Sequence, residues 1–155
     1  MSQKKLAIIA TKGTLDWAYP PFILASTAAA LGYETQIFFT FYGLQLLRKK
    51  LDLQVTSLGN PAMPMPMPVP VLMQALPGMQ SFMTMMMKNK MKQKGVASLE
   101  ELRDLCIEAE VKFIACQMTV DLFDFSHSDF IDGLEFGGAA TFFEFAGESD
   151  ICLYI

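Results

Sequence analysis

Histidine is nearly missing from this chain of 155 residues: His127 stands alone, with no CxxC pair and no cluster of His and Cys around it. That argues against a zinc site, and no metal site built from His and Cys is expected. His127 has no sequence-local partner to aim it at a nucleophile, so it reads as a surface residue. A disulfide framework is missing too. Cys106, Cys116 and Cys152 are odd in number and follow no framework spacing, which points to a reducing, cytoplasmic compartment. The opening M-S-Q-K-K is not followed by a long apolar region, so no signal peptide is expected. Lys12-Gly13 is too short for a phosphate loop and matches neither dinucleotide nor P-loop patterns. No cofactor and no nucleic-acid partner are expected.

Charge is absent from Leu53 to Met87. Such a length ordinarily suggests a membrane span, but Pro61, Pro64, Pro66, Pro68, Pro70 and Pro77 fall inside it. The alternation M-P-M-P-M-P-V-P favours an extended, polyproline-like path, which cannot satisfy its backbone in lipid. A transmembrane helix is therefore rejected. After Pro77-Gly78 the run from Met79 to Lys94 suits a helix, with Met79, Phe82, Met83, Met86 and Met87 at helical spacings and Lys88, Lys90, Lys92 and Lys94 behind them. Ten of the twelve methionines lie between Met63 and Met91. Three uses stay open for this arm: an apolar contact with the body or another subunit, a peripheral membrane contact through 61–94, or a soft-metal site of thioethers.

What is present points to one α/β domain over 1–155, with a Met/Pro-rich insertion at about 59–94. Leu6–Ala10, Glu34–Thr40, a strand within Ile131–Phe136 and Ile151–Ile155 read as short strands, the last one buried with Cys152 in the core. Pro20-Pro21 fits the first turn of a helix that runs through Phe22–Leu31 and ends at Gly32, with an alanine-rich face for a sheet. Gln45–Leu51 reads as a short helix, and Ala139–Ala146 as another. Ser98–Glu110 is the clearest helix: Ser98 and Glu101 form a capping box, and Leu99, Leu102, Leu105, Cys106 and Ala109 share a face. Residues 1–94 hold ten Lys and Arg against three Asp and Glu, whereas residues 95–155 hold two against thirteen. That asymmetry suggests a partner surface or head-to-tail association, unless folding mixes the two signs.

The stretch V-K-F-I-A-C-Q-M-T, Val111–Thr119, organises the rest. Its apolar run reads as a buried parallel strand ending at Cys116, and Thr119 reads as the cap of the next helix. Ligands of open α/β sheets sit at that edge, and helix N–H groups there favour a thiolate. Cys116 is thus either a nucleophile or a small buried hydrophobe. Loops 11–16 and 40–43 are candidate site walls, with Lys12, Gly13, Thr14, Asp16, Phe41 and Tyr42, and with Gln117 and Thr119 beside the thiol. Lys12 would favour the thiolate and Asp16 would oppose it. Cys106 belongs to the buried helix face. Five strand residues, about 16 Å, separate the two ends, so a Cys106–Cys116 disulfide would be strained.

The chain resembles the DsrE/DsrF-like sulfurtransferases, specifically the subfamily labelled peroxiredoxin-like. The resemblance is carried by K-G-T-L-D at Lys12–Asp16, F-F-T-F-Y-G-L at Phe38–Leu44, G-N-P-A-M-P at Gly59–Pro64, L-P-G-M at Leu76–Met79, A-C-Q-M-T at Ala115–Thr119 and I-D-G-L-E-F-G-G-A-A-T at Ile131–Thr141. It implies a three-layer α/β/α fold with a five-stranded, mainly parallel sheet. It also implies a homo-oligomer (trimer, tetramer or hexamer), and sulfur-donor and sulfur-acceptor proteins as partners. The implied chemistry is transfer of sulfane sulfur as a persulfide on Cys116, with Cys106 as a second thiol of the subfamily pattern. No P-x-x-x-[TS]-x-x-C motif surrounds any cysteine, so peroxidase activity is not expected. The alternative is a non-catalytic oligomeric binding protein whose Met-rich arm holds a soft metal, a membrane surface or a partner.

Overall fold

The computed structural model describes residues 2–56 and 70–155. The M-P-M-P alternation and the G-N-P-A-M-P stretch lie outside these residues. Five strands form one all-parallel sheet: β1 (Lys5–Ala10), β2 (Glu34–Phe39), β3 (Lys112–Cys116), β4 (Glu135–Gly137) and β5 (Ile151–Tyr154), in the order β4–β3–β2–β1–β5. Ile8 pairs with Ile37 and Ile37 with Phe113, so the three central strands present matched apolar rows. Between the strands run α1 (Leu15–Ala30), α2 (Val71–Gln74), α3 (Met79–Gln93), α4 (Leu99–Glu108), α5 (Gln117–Leu122) and α6 (Ala139–Ala146).

Strand parity sorts the core into two faces. Leu6, Ile8, Ala10, Ile37, Phe39, Phe113 and Ala115 point to one face, which α1 and α4 cover. The alanines of α1, Ala18, Ala25 and Ala28, are buried and let the helix sit close enough for Phe22 to meet Phe39 at 6.0 Å and Phe113 at 5.8 Å. Burying a ring of this size stabilises by about 1.5–3 kcal/mol. Ala7, Phe38, Ile114 and Cys116 point to the other face, where Phe142 of α6 packs on Phe38 at 5.5 Å. The arrangement is the expected three-layer one, and every strand pair is parallel.

Several local expectations are corrected. α1 begins at Leu15 rather than at the prolines, so Pro20 and Pro21 lie in its second turn, where each removes an intrahelical hydrogen bond. Thr14 precedes the helix in an extended conformation and Asp16 lies in its first turn, both of which favour the earlier start. Residues Phe41–Leu47 form a 3₁₀ helix instead of a loop followed by a helix over Gln45–Leu51. The carbonyls of Leu46 and Arg48 at its end accept from the buried Arg103 Nη1 at 3.0 and 2.7 Å. β5 is an edge strand, and Cys152 on it is exposed, not core. The capping box of α4 is present as read: Ser98 accepts from the Glu101 N–H, and Glu101 accepts from the Ser98 N–H.

The arm is pinned at its start. Asp16 accepts from both the N–H and the hydroxyl of Thr56, and the Leu15 N–H donates to the Gln54 carbonyl. Thr84, buried in α3, accepts from the Val55 N–H at 3.0 Å, and Gln80 donates to the Val55 carbonyl. Met83, Met87 and Met91 of α3 pack on the core, while Phe82, Met85 and Met86 are exposed. Among the described residues no helix is long and apolar enough to cross a membrane.

Candidate functional site

β3 ends at Cys116, and α5 starts with the next residue, so Cys116 is itself the residue preceding the helix. Thr119 is not the cap but the third residue of α5, fully buried. This one-turn shift gives Thr119 a different task. Its hydroxyl lies 3.3 Å from the Thr40 hydroxyl and accepts from the Phe41 N–H at 3.2 Å. Cys116 is 4% exposed. Burial pushes its thiol up, but hydrogen bonds from the Thr119 hydroxyl and N–H, the Thr40 hydroxyl and the Met118 N–H outweigh that and hold it below the usual thiol value. The two hydroxyls and the first N–H groups of α5 thus favour the anionic form of this sulfur. Such a set stabilises an anion, and a thiolate is the nucleophilic form.

Of the walls read from sequence, the 40–43 loop reaches the site. Phe41 is held at φ +48°, a rare conformation for a bulky residue. Phe123, at the end of α5, stacks on Tyr42 at 5.9 Å and meets Phe41 edge-on at 6.4 Å. Gly13 and Gly43 let the neighbouring loop lie against this one: a methyl on Gly13 would strike the Tyr42 carbonyl, and one on Gly43 would strike that of Ala10. The other wall candidates are engaged elsewhere. Lys12 lies over the Trp17 ring at 3.8 Å. Thr14 and Asp16 bind Thr56. Gln117 donates to Asp121 at 2.7 Å, so its carbonyl oxygen faces His127 Nε2 at 3.0 Å. Because that oxygen only accepts, Nε2 must carry hydrogen. The His127 ring stacks on Phe136 at 3.7 Å.

Cys106 and Cys116 are on opposite faces of the sheet. Cys106 is fully buried and donates to the Phe22 carbonyl at 3.3 Å. Burial pushes its thiol up to about 11, against the opposing hydrogen bonds from Ser26.

The profile of the DsrE/DsrF/DrsH-like family matches residues 2–154. The chain belongs to that family. Within curated relatives it is 77% identical, over the full length of both chains, to a protein of Allochromatium vinosum named sulfur carrier protein DsrE2. It is 31% identical to the uncharacterized protein YrkE of Bacillus subtilis, over 98% of this chain and 97% of that one. Among solved structures it resembles the ychN protein from E. coli, with a TM-score of 0.56 and 12% identity, covering 99% of this chain and all of that one. That last likeness concerns the fold alone.

Sequence reasoning missed two parts of this family member's site. Thr40 follows β2, one position beyond the Phe39–Ala115 pair, and the register carries it toward Cys116, the residue after Ala115. The Met118 N–H was masked by placing the helix start at Thr119. The signal for Thr40 was available in F-F-T-F-Y-G-L, where a hydroxyl closes an apolar strand parallel to the one that ends in Cys116.

Proposed function

We propose that the chain is a sulfur carrier that holds sulfane sulfur as a persulfide on Cys116 and passes it between a donor and an acceptor protein. The observation that carries this reading is the place of Cys116 at the junction of β3 and α5, on the turn that buries Thr119 against the Thr40 hydroxyl, where its thiol is held below the usual value. Membership of the family and the name of the 77% identical relative support it.

In loading, the Cys116 thiolate attacks the outer sulfur of a donor persulfide. The bond from Cys116 Sγ to that sulfur forms, the donor S–S bond breaks, and its electron pair leaves as the donor thiolate. In delivery, an acceptor thiolate attacks the same outer sulfur and the pair returns to Cys116. Both steps are redox-neutral exchanges that favour a thiol with a pKa near ambient pH. The hydroxyls and N–H groups stabilise Cys116 as attacking anion in the first step and as leaving group in the second. Cys106, across the sheet, takes no direct part in this scheme, and neither does the exposed Cys152.

The same reading places the chain in a reducing compartment, where its three free thiols stay reduced, and in a homo-oligomer. Phe143 and Tyr154, exposed on the face that α6 covers, suit contacts between copies. A peripheral membrane contact through α3 is supported by exposed Phe82, Met85 and Met86 ahead of Lys88, Lys90, Lys92 and Lys94. The carrier reading is tested by cyanide-releasable sulfur after incubation with polysulfide and gel filtration. One sulfur per chain, transferable to an added thiol, is expected. No retained sulfur under any condition overturns it.

A further inference from the structure

Resting on that carrier reading, we propose that Phe41, Tyr42, Met118, Leu122 and Phe123 form the docking surface for the cysteine-bearing segment of a partner protein. This segment is apolar beside its cysteine and carries basic residues.

Direct sulfur exchange requires a partner thiol in contact with the outer sulfur on Cys116, so some surface around this thiol must be covered by the partner. The exposed side chains tied to Cys116 are apolar. Phe41 and Tyr42 are 45% and 64% exposed, and Phe41 is anchored through its N–H on Thr119, the buried residue of the α5 turn that follows Cys116. Met118 is 60% exposed and follows Cys116 by two residues, in the first turn of α5. Leu122, 57% exposed, is one helical turn from Met118 on the same face of α5. Phe123 joins the two groups by its ring contacts with Phe41 and Tyr42. Exposed aromatic and methionine side chains gathered next to a reactive group have the composition of an interface core. The bulky Phe41 is held at positive φ, the kind of strain that clusters at functional sites.

Charge selects the kind of segment. Asp121 and Asp124, both exposed, border the patch, and no Lys or Arg occurs from Phe113 to Ile155. Lys12 and Arg48, cations of neighbouring loops, are laid over Trp17 and Phe125. A partner segment with Lys or Arg flanking its apolar residues therefore complements the rim and is steered toward the thiol.

The test uses the full chain loaded with polysulfide and three synthetic cysteine peptides: Leu/Phe flanks with Arg, the same flanks with Glu, and Gly/Ser flanks. Sulfur delivery to the Arg-bearing apolar peptide is expected to be about tenfold faster than to the Gly/Ser peptide. The Glu-bearing peptide is expected to fall below the Arg-bearing one. Tyr42→Ser and Leu122→Ser should each reduce this preference several-fold, and Leu122→Ser should load from polysulfide like wild type. Equal rates for all three peptides on wild type overturn the docking surface while leaving the carrier reading intact. A chain that never loads overturns both. Light scattering on the variants decides against the remaining occupant: if either substitution changes the subunit number, the patch is a contact between copies and the proposal fails.

Discussion

The backbone N–H of Phe41 donates to Thr119 Oγ1 at 3.2 Å, and the same hydroxyl helps hold the Cys116 thiol below its usual value. One buried oxygen therefore joins the conformation of the loop after β2 to the charge on the thiol at the end of β3. A hydroxyl that accepts from an N–H is polarised toward donating its own hydrogen, so the loop strengthens the bond to the thiolate.

Thr119→Val keeps the shape and removes this oxygen. The variant should show a Cys116 thiol shifted toward higher pKa, so the pH profile of its alkylation moves alkaline. The Phe41 N–H loses its acceptor, which should lower stability by about 1–3 kcal/mol. Iodoacetamide rates against pH, in a background with Cys106 and Cys152 replaced, and urea melts check both. An unmoved profile would remove Thr119 from the site.

Cys106 predicts an alkaline instability. Its folded thiol is raised to about 11 from an ordinary 9.0, so the neutral form is favoured in the folded state. The stability this contributes is fully present below the unfolded value and is lost as pH rises through the folded one. Melting temperature should thus fall between pH 9 and about 11, and Cys106→Ala should flatten part of that fall while lowering stability at neutral pH. Cys116 has the opposite sign: its folded thiol is depressed, so its contribution is present above the unfolded value and is lost as pH falls through the folded one.

The three thiols should separate by reagent. Cys152, exposed on the edge strand, should react with bulky maleimides in the native state, while Cys106 should require unfolding. Cys152→Ser should change stability by no more than about 0.5 kcal/mol. Peptide mapping after brief labelling checks the order, and native labelling of Cys106 would contradict the burial argument.

Thr84→Val tests how the arm is held. The buried Val55 N–H would lose its acceptor, at a cost of about 1–3 kcal/mol. Residues 53–56 should then be released from α3, and proteolysis near Thr56 should accelerate. Unchanged cleavage would mean that Gln80 and Asp16 suffice.

How legible these features were follows from their range. Phe113, Ile114 and Ala115 announced a buried strand because their apolar run is too short for a buried helix, and the Ser98–Glu101 box announced its helix because capping is local. Cys152 was misread because Ile151-Cys152-Leu153-Tyr154 has the composition of a buried strand, while its edge position is set by the order of the whole sheet. The role of Thr119 was misread for a smaller reason: the helix begins three residues earlier than a cap at that position implies. His127 found its partner, Gln117, only through the fold, ten residues away in sequence and on another element.

In the proposed scheme Cys116 alone carries the sulfur. The most direct measurement is intact mass of the Cys106→Ser/Cys152→Ser double variant and of Cys116→Ser after polysulfide treatment, before and after a dithiol reductant. One added sulfur atom is expected on the double variant, removed by the reductant, and none on Cys116→Ser. Loading of Cys116→Ser to the wild-type level would contradict it.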